Sequence, residues 1–276
     1  MKISVVIVTR NRSAKINKCI NCLLKQTIKP AELVIIDSSD NIKTKVLVQE
    51  YNKGSKIKFK YKRIAHVSIP YARNQGISTA SHELIAFTDD DCHPLKNWTK
   101  SILESFNSHK KAVIIGGKVA NFNTRNYWAI VCLNMMNSYF KFQNKVHLET
   151  FLFTNNLALK KDYVIKDKIK FDERLLGIED VDLCKRAAKK GHIVLYDPSI
   201  IVKHDFRDTF KGFLTQWFFY GRANYRFYKK YNYNILTSSI KEYLSFIKAV
   251  NIQLKFGFLL GRSFWLMGLL YEALIL

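Results

Sequence analysis

The chain has 276 residues, 48% of them hydrophobic and 13% aromatic, enough to bury a sizeable core and too apolar for disorder to be its main state. A net charge of +23 favours an anionic partner, whether nucleic acid, an anionic membrane surface or phosphorylated small molecules, and by itself selects none of them. Five cysteines without a framework of spacings fit a reducing compartment, and the Cys19 and Cys22 pair sits in a helix-like pattern with no second CxxC or nearby His to complete a metal site.

In chain order, Met1–Thr9 leads straight into strand-like residues with no small-residue cleavage site behind them, so a cytoplasmic chain is expected. Ile3–Val8 reads as a buried strand. Ser13–Gln26 reads as a helix, with Ile16, Ile20, Leu23 and Leu24 on one face and Pro30 beyond its end. Leu33–Ile36 predicts a second buried strand that stops at the turn formers Asp37, Ser38, Ser39, Asp40 and Asn41, with another helix to follow. Lys56–Lys62 alternates charge with Ile57, Phe59 and Tyr61, the pattern of a half-exposed strand. Tyr71–Ala80 looks helical, and Leu84–Thr88 is a buried strand that delivers Asp89, Asp90 and Asp91. This alternation is the signature of βαβ units on a mostly parallel sheet flanked by helices, which sets Thr9, Asp37 and the three aspartates at one edge, where open α/β sheets bind ligands.

Further on, Val113–Val119 predicts a strand, Phe122–Thr150 is aromatic-rich without a clear period, and Phe151–Leu159 reads as extended. Asp180–Lys190 predicts a helix, with Val181, Leu183, Cys184 and Ala187 inward and Gly191 as its C-terminal cap, followed by a strand over Ile193–Val202. The character changes at Asp205. Phe210, Phe213, Trp217 and Tyr220 fall at helical spacing among Lys211, Arg222, Arg226, Lys229 and Lys230. Phe256–Leu276 is apolar but contains Arg262 and Glu272. A central Arg costs about 2.5–3.5 kcal/mol in a spanning helix, so the expectation is an interfacial or core-docked helix. The expected organisation is an α/β domain over residues 1–205 that carries the candidate site, and a helical, aromatic and basic region over 206–276 that faces a membrane surface or a bound acceptor.

Three carboxylates in a row repel one another unless a cation or water intervenes, and oxygen ligands suit magnesium or manganese. In an extended segment Asp89 and Asp91 share a face and Asp90 turns from it; the competing reading is a solvated acidic turn. Glu179 and Asp180, with Asp182 behind them, could be dipole-complementing carboxylates of a first helical turn, or one of them a general base. His204 follows a strand and could complete an oxygen-rich metal shell or simply pack, whereas His93 reads as a loop residue. Arg73 and Asn74 sit near the same edge, where Arg73 could pair with a diphosphate, stack on a base or be a surface cation. Asp37 could accept from a base N–H or only shape its turn, and Asn155 and Asn156 could contact sugar hydroxyls or be packed amides.

The blocks "SVVIVTRNR", "ELVIIDSSD", "ARNQGISTASHELIAFTDDD", "TNNLALKK", "FDERLLGIEDVDLCKRAAKKG" and "YDPSIIVKH" resemble, in order, those of the family-2 glycosyltransferases over roughly residues 2–230. The resemblance implies a GT-A fold, a nucleotide-sugar donor, inversion at the anomeric carbon and a divalent metal, Mn2+ or Mg2+. By position, Thr9 and Asp37 would hold the base, commonly uracil, with Arg73 beside the nucleotide, and Asn11, Asp90 and Asn156 would join these donor contacts. Asp89 would approach ribose or metal, Asp91 the metal and diphosphate, His204 the metal or diphosphate, and Asp180, with Glu179 beside it, the acceptor proton. The chain has "TNN" where a Gly before the Asn is frequent and "DSSD" where "DDGS" or "DNGS" is frequent, which leaves base and acceptor preference open. "QWFFYGRANYRF" resembles a motif that follows the catalytic domain in many bacterial relatives.

The expected partners are a nucleotide-sugar donor, a glycan or lipid-linked acceptor, and a membrane surface met through the C-terminal helices on the inner face of the cell membrane. Residues 205–276 hold ten Lys or Arg against four Asp or Glu, which favours the membrane surface. A basic nucleic-acid-binding protein is the competing class, but no nucleic-acid motif is present and the lysines are spread along the whole chain, so no nucleic acid is expected. An inactive sugar-binding relative is the third, and the intact acidic residues speak against it.

Overall fold

The computed structural model describes residues 1–65, 68–137, 146–148, 151–167, 169–234 and 252–276, and the aromatic-rich stretch 122–150 lies partly outside them. The described chain forms two compact units, one of Met1–Ala120, Asn144–Glu173 and Asp180–His204, the other of Asn121–Gln143, Arg174–Glu179 and Asp205–Leu276.

The first unit alternates strand and helix from its start: β1 (Ile3–Thr9), α1 (Ser13–Leu24), β2 (Glu32–Asp37), α2 (Lys43–Gly54), β3 (Lys58–Arg63), α3 (Ile69–Thr79) and β4 (Leu84–Phe87). It continues through β5 (Cys92–Pro94), α4 (Trp98–Ser108), β6 (Ala112–Asn121), and, after α5 (Tyr127–Asn137) of the second unit, β7 (His147–Leu148), β8 (Leu157–Lys160), α6 (Lys161–Lys166), α7 (Glu179–Lys189) and β9 (Ile193–His204). The strands make one sheet in the order β3-β2-β1-β4-β8-β6-β9-β5, with β7 on β9. Strands β3, β2, β1 and β4 run parallel, joined by helical crossovers, whereas β8 is antiparallel to both β4 and β6.

Residues of β1 and β2 are buried on both faces, which is why they read as continuous apolar runs. On one side α1 seats Ile16, Ile20 and Leu23, all fully buried. α3 comes close enough to β1 that a Cβ on Gly76 would lie 2.3 Å from Val6 Cγ1. α3 is started by Ser68, whose side chain accepts from the Tyr71 N–H at 3.4 Å, and by Pro70 in its first turn. Gly191 has φ +82 just past α7, the left-handed cap its position in the sequence anticipates. One segment differs from its expected form: residues 151–159 are not one extended run, because Thr154–Asn156 form a single 3-10 turn before β8.

The second unit is helical: α5, α8 (Phe210–Lys230) and α9 (Lys255–Ile275). Thr209 caps α8, its hydroxyl accepting from the Gly212 N–H at 3.2 Å. α8 and α9 pack backbone to backbone through small residues: a Cβ on Gly221 would lie 1.8 Å from the Trp265 carbonyl, and one on Gly268 1.9 Å from that of Phe218. Trp128 of α5 lies against Phe210 and Phe213 of α8, with ring centroids 5.1 and 5.0 Å apart.

Candidate active site

Parallel register builds the first part of the site. Thr9 of β1 pairs with Asp37 of β2, and Asp37 with Arg63 of β3, so three strand ends finish side by side. Asp37 is buried; one of its oxygens accepts from the Ser39 N–H at 2.9 Å and the other from the Tyr61 hydroxyl at 2.8 Å. Burial and that carboxylate push the Tyr61 phenol up, so it stays a hydrogen-bond donor. Beside them an open cavity of about 590 Å³ is lined by Ser38, Ser39, Asp40, Arg63, Ile64 and Ala65. Asn11, at φ 55, ties the β1 and β2 loops together: its amide donates to Asp40 at 2.7 Å and its carbonyl accepts from the Asp40 N–H at 3.0 Å.

The three aspartates leave β4 in a tight turn, closed by the Cys92 N–H donating to the Asp89 carbonyl at 3.0 Å, and not in the extended form that strand alternation implies. The division of faces survives for a different reason. Asp90 turns inward, fully buried, accepting from the Thr9 hydroxyl at 2.7 Å and pairing with Arg12 at 2.9 Å. Burial lifts its carboxyl to about 7 in spite of the Arg12 charge. Asp89 and Asp91 converge on a second cluster, with Arg12 bridging Asp91 to Asp90. Antiparallel pairing of β5 with β9 sets Cys92 opposite His204, and one ligand atom each from Asp89, Asp91, Cys92 and His204 lie within 4.8 Å of one another. Asp91 meets His204 Nε2 at 3.1 Å and Arg12 at 2.8 Å; hydrogen bonding to His204 and the nearby cations hold its carboxyl well below the usual range against burial.

This donor set suits a hard divalent ion. Two carboxylate oxygens and an imidazole fit magnesium or manganese, while the Cys92 thiol, pushed well up by burial and by Asp89 and Asp91, stays protonated and is a poor ligand.

Arg73 connects this cluster to the candidate base. It lies within α3, where its guanidinium pairs with Asp89 at 3.3 Å and stands 5.9 Å over the Phe171 ring. Its charge also acts on Asp180. Asp180, in the first turn of α7, is buried, and burial raises its carboxyl even though the Arg73 charge and three hydrogen bonds lower it. Two of those bonds come from Thr154, N–H at 2.9 Å and hydroxyl at 3.1 Å, and the third from the Val181 N–H at 2.9 Å. The 3-10 turn therefore fixes the carboxylate. Glu179 is buried and belongs to the second unit, and Asp182 pairs with Arg186 at 2.7 Å, the bond of an ordinary helix face.

Two residues expected to touch the donor spend their polar atoms inside the protein instead. Asp90 is committed to Thr9 and Arg12. Asn156 accepts from Trp98 Nε1 at 2.8 Å and donates to the carbonyls of Lys118 and Ile200, each at 2.9 Å, so its amide braces the sheet. Its neighbour Asn155 is buried with Oδ1 lacking a hydrogen-bond partner among the described residues. Asn74 is likewise structural, bonded to the Phe171 backbone and to Glu173. His93 lies on β5, 3.9 Å from the Cys22 sulfur. Sequence reasoning missed Arg12, Tyr61 and Thr154: a lone Arg after a strand, an aromatic on a half-exposed strand and a Thr in a loop carry no chemical signature until the fold sets them beside aspartates.

Comparison with known proteins now adds independent findings. The sequence profile described as "Glycosyl transferase family 2" matches residues 4–166. A pre-mycofactocin glycosyltransferase of Mycobacterium tuberculosis is 26% identical over 54% of this chain and 33% of its own length. Glycosyltransferase AglE of Haloferax volcanii is 26% identical over 74% of this chain and 67% of its own length. The chain thus spans a third of the first relative and two thirds of the second. Among solved structures, mannosyltransferase PcManGT from Pyrobaculum calidifontis, in complex with GDP-Man and Mn2+, has a TM-score of 0.72 at 11% identity, covering 99% of this chain and 87% of that one. S. aureus TarS residues 1–349 with UDP gives 0.61 at 19% identity, covering 98% and 89%. Those likenesses establish the GT-A fold.

Proposed function

The chain belongs to glycosyl transferase family 2, and from that membership we propose that it transfers a sugar, with inversion, from a nucleotide diphosphate sugar to a hydroxyl of a glycan or lipid-linked acceptor in cell-surface polysaccharide or glycoconjugate synthesis. A UDP-sugar is the donor we favour, on the family resemblance of the β1 and β2 blocks. The observation that carries the reading is Arg73, which pairs with Asp89 of the candidate metal cluster while its charge acts on the buried Asp180 carboxyl.

Asp180 is the general base. Its carboxylate takes the acceptor proton as that oxygen bonds to the anomeric carbon and the bond from that carbon to the diphosphate oxygen breaks. Thr154 and Val181 hold the carboxylate in one orientation. Asp89, Asp91 and His204 would hold a divalent ion, Mn2+ or Mg2+, which when bound supplies positive charge to the departing diphosphate. Arg73 faces the same diphosphate, and the cavity at Ser38, Ser39 and Arg63, beside Asp37 and Thr9, receives the base. Arg12 and Asp90 brace Asp91 from beneath. The enzyme works as a peripheral protein on the cytoplasmic face of the cell membrane, a placement supported by the apolar α9 and the basic C-terminal region.

A screen of nucleotide sugars for hydrolysis with manganese present tests the reading and names the donor. Asp180→Asn is expected to lower transfer by at least about a hundredfold while leaving nucleotide affinity within about twofold, since only the proton acceptor is lost. Retained turnover in that variant removes Asp180 from its role, and hydrolysis of no nucleotide sugar overturns the activity.

A further inference from the structure

Beyond its first residue, Lys255, α9 wears its charges on the inside. Arg262 is 5% exposed with its guanidinium 4.2 Å over the Trp265 ring, and Glu272 is fully buried between Arg222 and Arg226 of α8, each at 2.5 Å. The outer face is the reverse of what water selects: Phe256, Leu259, Leu266, Leu270 and Leu274 are exposed, Leu274 at 87%, and no exposed position after Lys255 is charged. Ser263, the one hydroxyl-bearing aliphatic residue there, turns its Oγ back to the Leu259 carbonyl at 3.0 Å. A helix that is apolar outside and ionic inside is facing something other than water.

We infer that this outer face is a docking surface for an anionic bilayer, with α9 lying in the plane of the headgroup and acyl boundary. The inference rests on the membrane placement proposed above and says which surface makes the contact. Charge selects the occupant. Lys211, Lys229, Lys230 and Lys255 are exposed in the same unit, and residues 205–276 carry ten Lys or Arg against four Asp or Glu, one of which, Glu272, is buried. A lipid surface takes the apolar face into its acyl layer and the lysines against its phosphates, whereas a second copy would set two basic units against each other. Geometry selects the pose. α9 has 21 residues, about 31 Å, enough to cross a bilayer, yet the Gly221 and Gly268 contacts fasten it to α8. A spanning α9 would drag Lys211, Arg222 and Arg226 of α8 into hydrocarbon.

The test is co-sedimentation of the full chain with vesicles of phosphatidylglycerol and phosphatidylcholine, set against phosphatidylcholine alone. Wild type is expected to prefer the anionic vesicles. The combined Leu266→Ser, Leu270→Ser and Leu274→Ser variant should lose at least about tenfold in partitioning, with far-UV circular dichroism and nucleotide-sugar hydrolysis unchanged. Leu274→Ser alone, at the most exposed site, gives the same direction where the triple variant fails to fold. Lys229→Gln with Lys230→Gln should weaken binding to the anionic vesicles several-fold, more at low salt than at high. Vesicle binding unchanged in the serine variants overturns this inference and leaves the enzyme reading standing. A wild-type dimer that the serine variants dissociate, with no vesicle binding, overturns it in favour of a second copy. Absent hydrolysis beside intact vesicle binding sinks the activity alone.

Discussion

At Asp180, the proposed base, the balance of burial against charge sets the pH at which the carboxylate forms. Burial raises the carboxyl, and the Arg73 charge is the largest of the effects that lower it. A base must be ionised to accept a proton, so the acid limb of the kcat profile is expected above the ordinary aspartate range of about 4. Arg73→Gln removes the lowering charge and should move that limb to higher pH; a limb that stays in place would separate Arg73 from the base. Asn156 offers the opposite kind of test. The observed bonds of its side chain brace Trp98, Lys118 and Ile200, so Asn156→Ala should cost about 1–3 kcal/mol of stability in denaturant unfolding while leaving the donor KM within about twofold. A raised donor KM in a variant of normal stability would return Asn156 to the donor site.

Two elements meet only because glycine lets them. A Cβ on Gly221 would sit 1.8 Å from a carbonyl oxygen of α9, an overlap no rotamer change relieves because the obstacle is backbone. Gly221→Ala is therefore expected to part α8 from α9 and to lower the melting temperature by several degrees, the shift of a loss of about 2–3 kcal/mol. Gly54→Ala is the control: nothing lies within 4 Å of a Cβ there, in the last turn of α2, and the change should be neutral or slightly stabilising. Equal melting temperatures for the two variants would show that the helix pair does not depend on that approach.

Over the whole molecule, donor and metal should stabilise the fold by mass action, since the residues proposed to hold them come from β1, β2, β3, α3, the turn after β4 and β9 and are assembled only when the sheet is formed. Manganese with UDP is expected to raise the melting temperature more than either alone, and Asp91→Asn to abolish the manganese increment. Much of this was legible in the sequence. Buried parallel strands must be continuously apolar, so β1, β2 and β4 announced themselves, and the carboxylates stand out where those apolar runs stop; that order determined the parallel half of the fold, while six sequence blocks in order carried the family resemblance. What the chain could not disclose is whatever depends on which segments become neighbours. The antiparallel pairing of β5 with β9 decided that His204 faces Asp91, and the turn at Asp89 to Cys92 decided that Asp90 points to Thr9 and Arg12. The packing of α8 decided that α9 hides its Arg and Glu and shows its leucines. Local periodicity records which side chains avoid water, but it carries no information about which distant residue takes water's place, and that choice made the site.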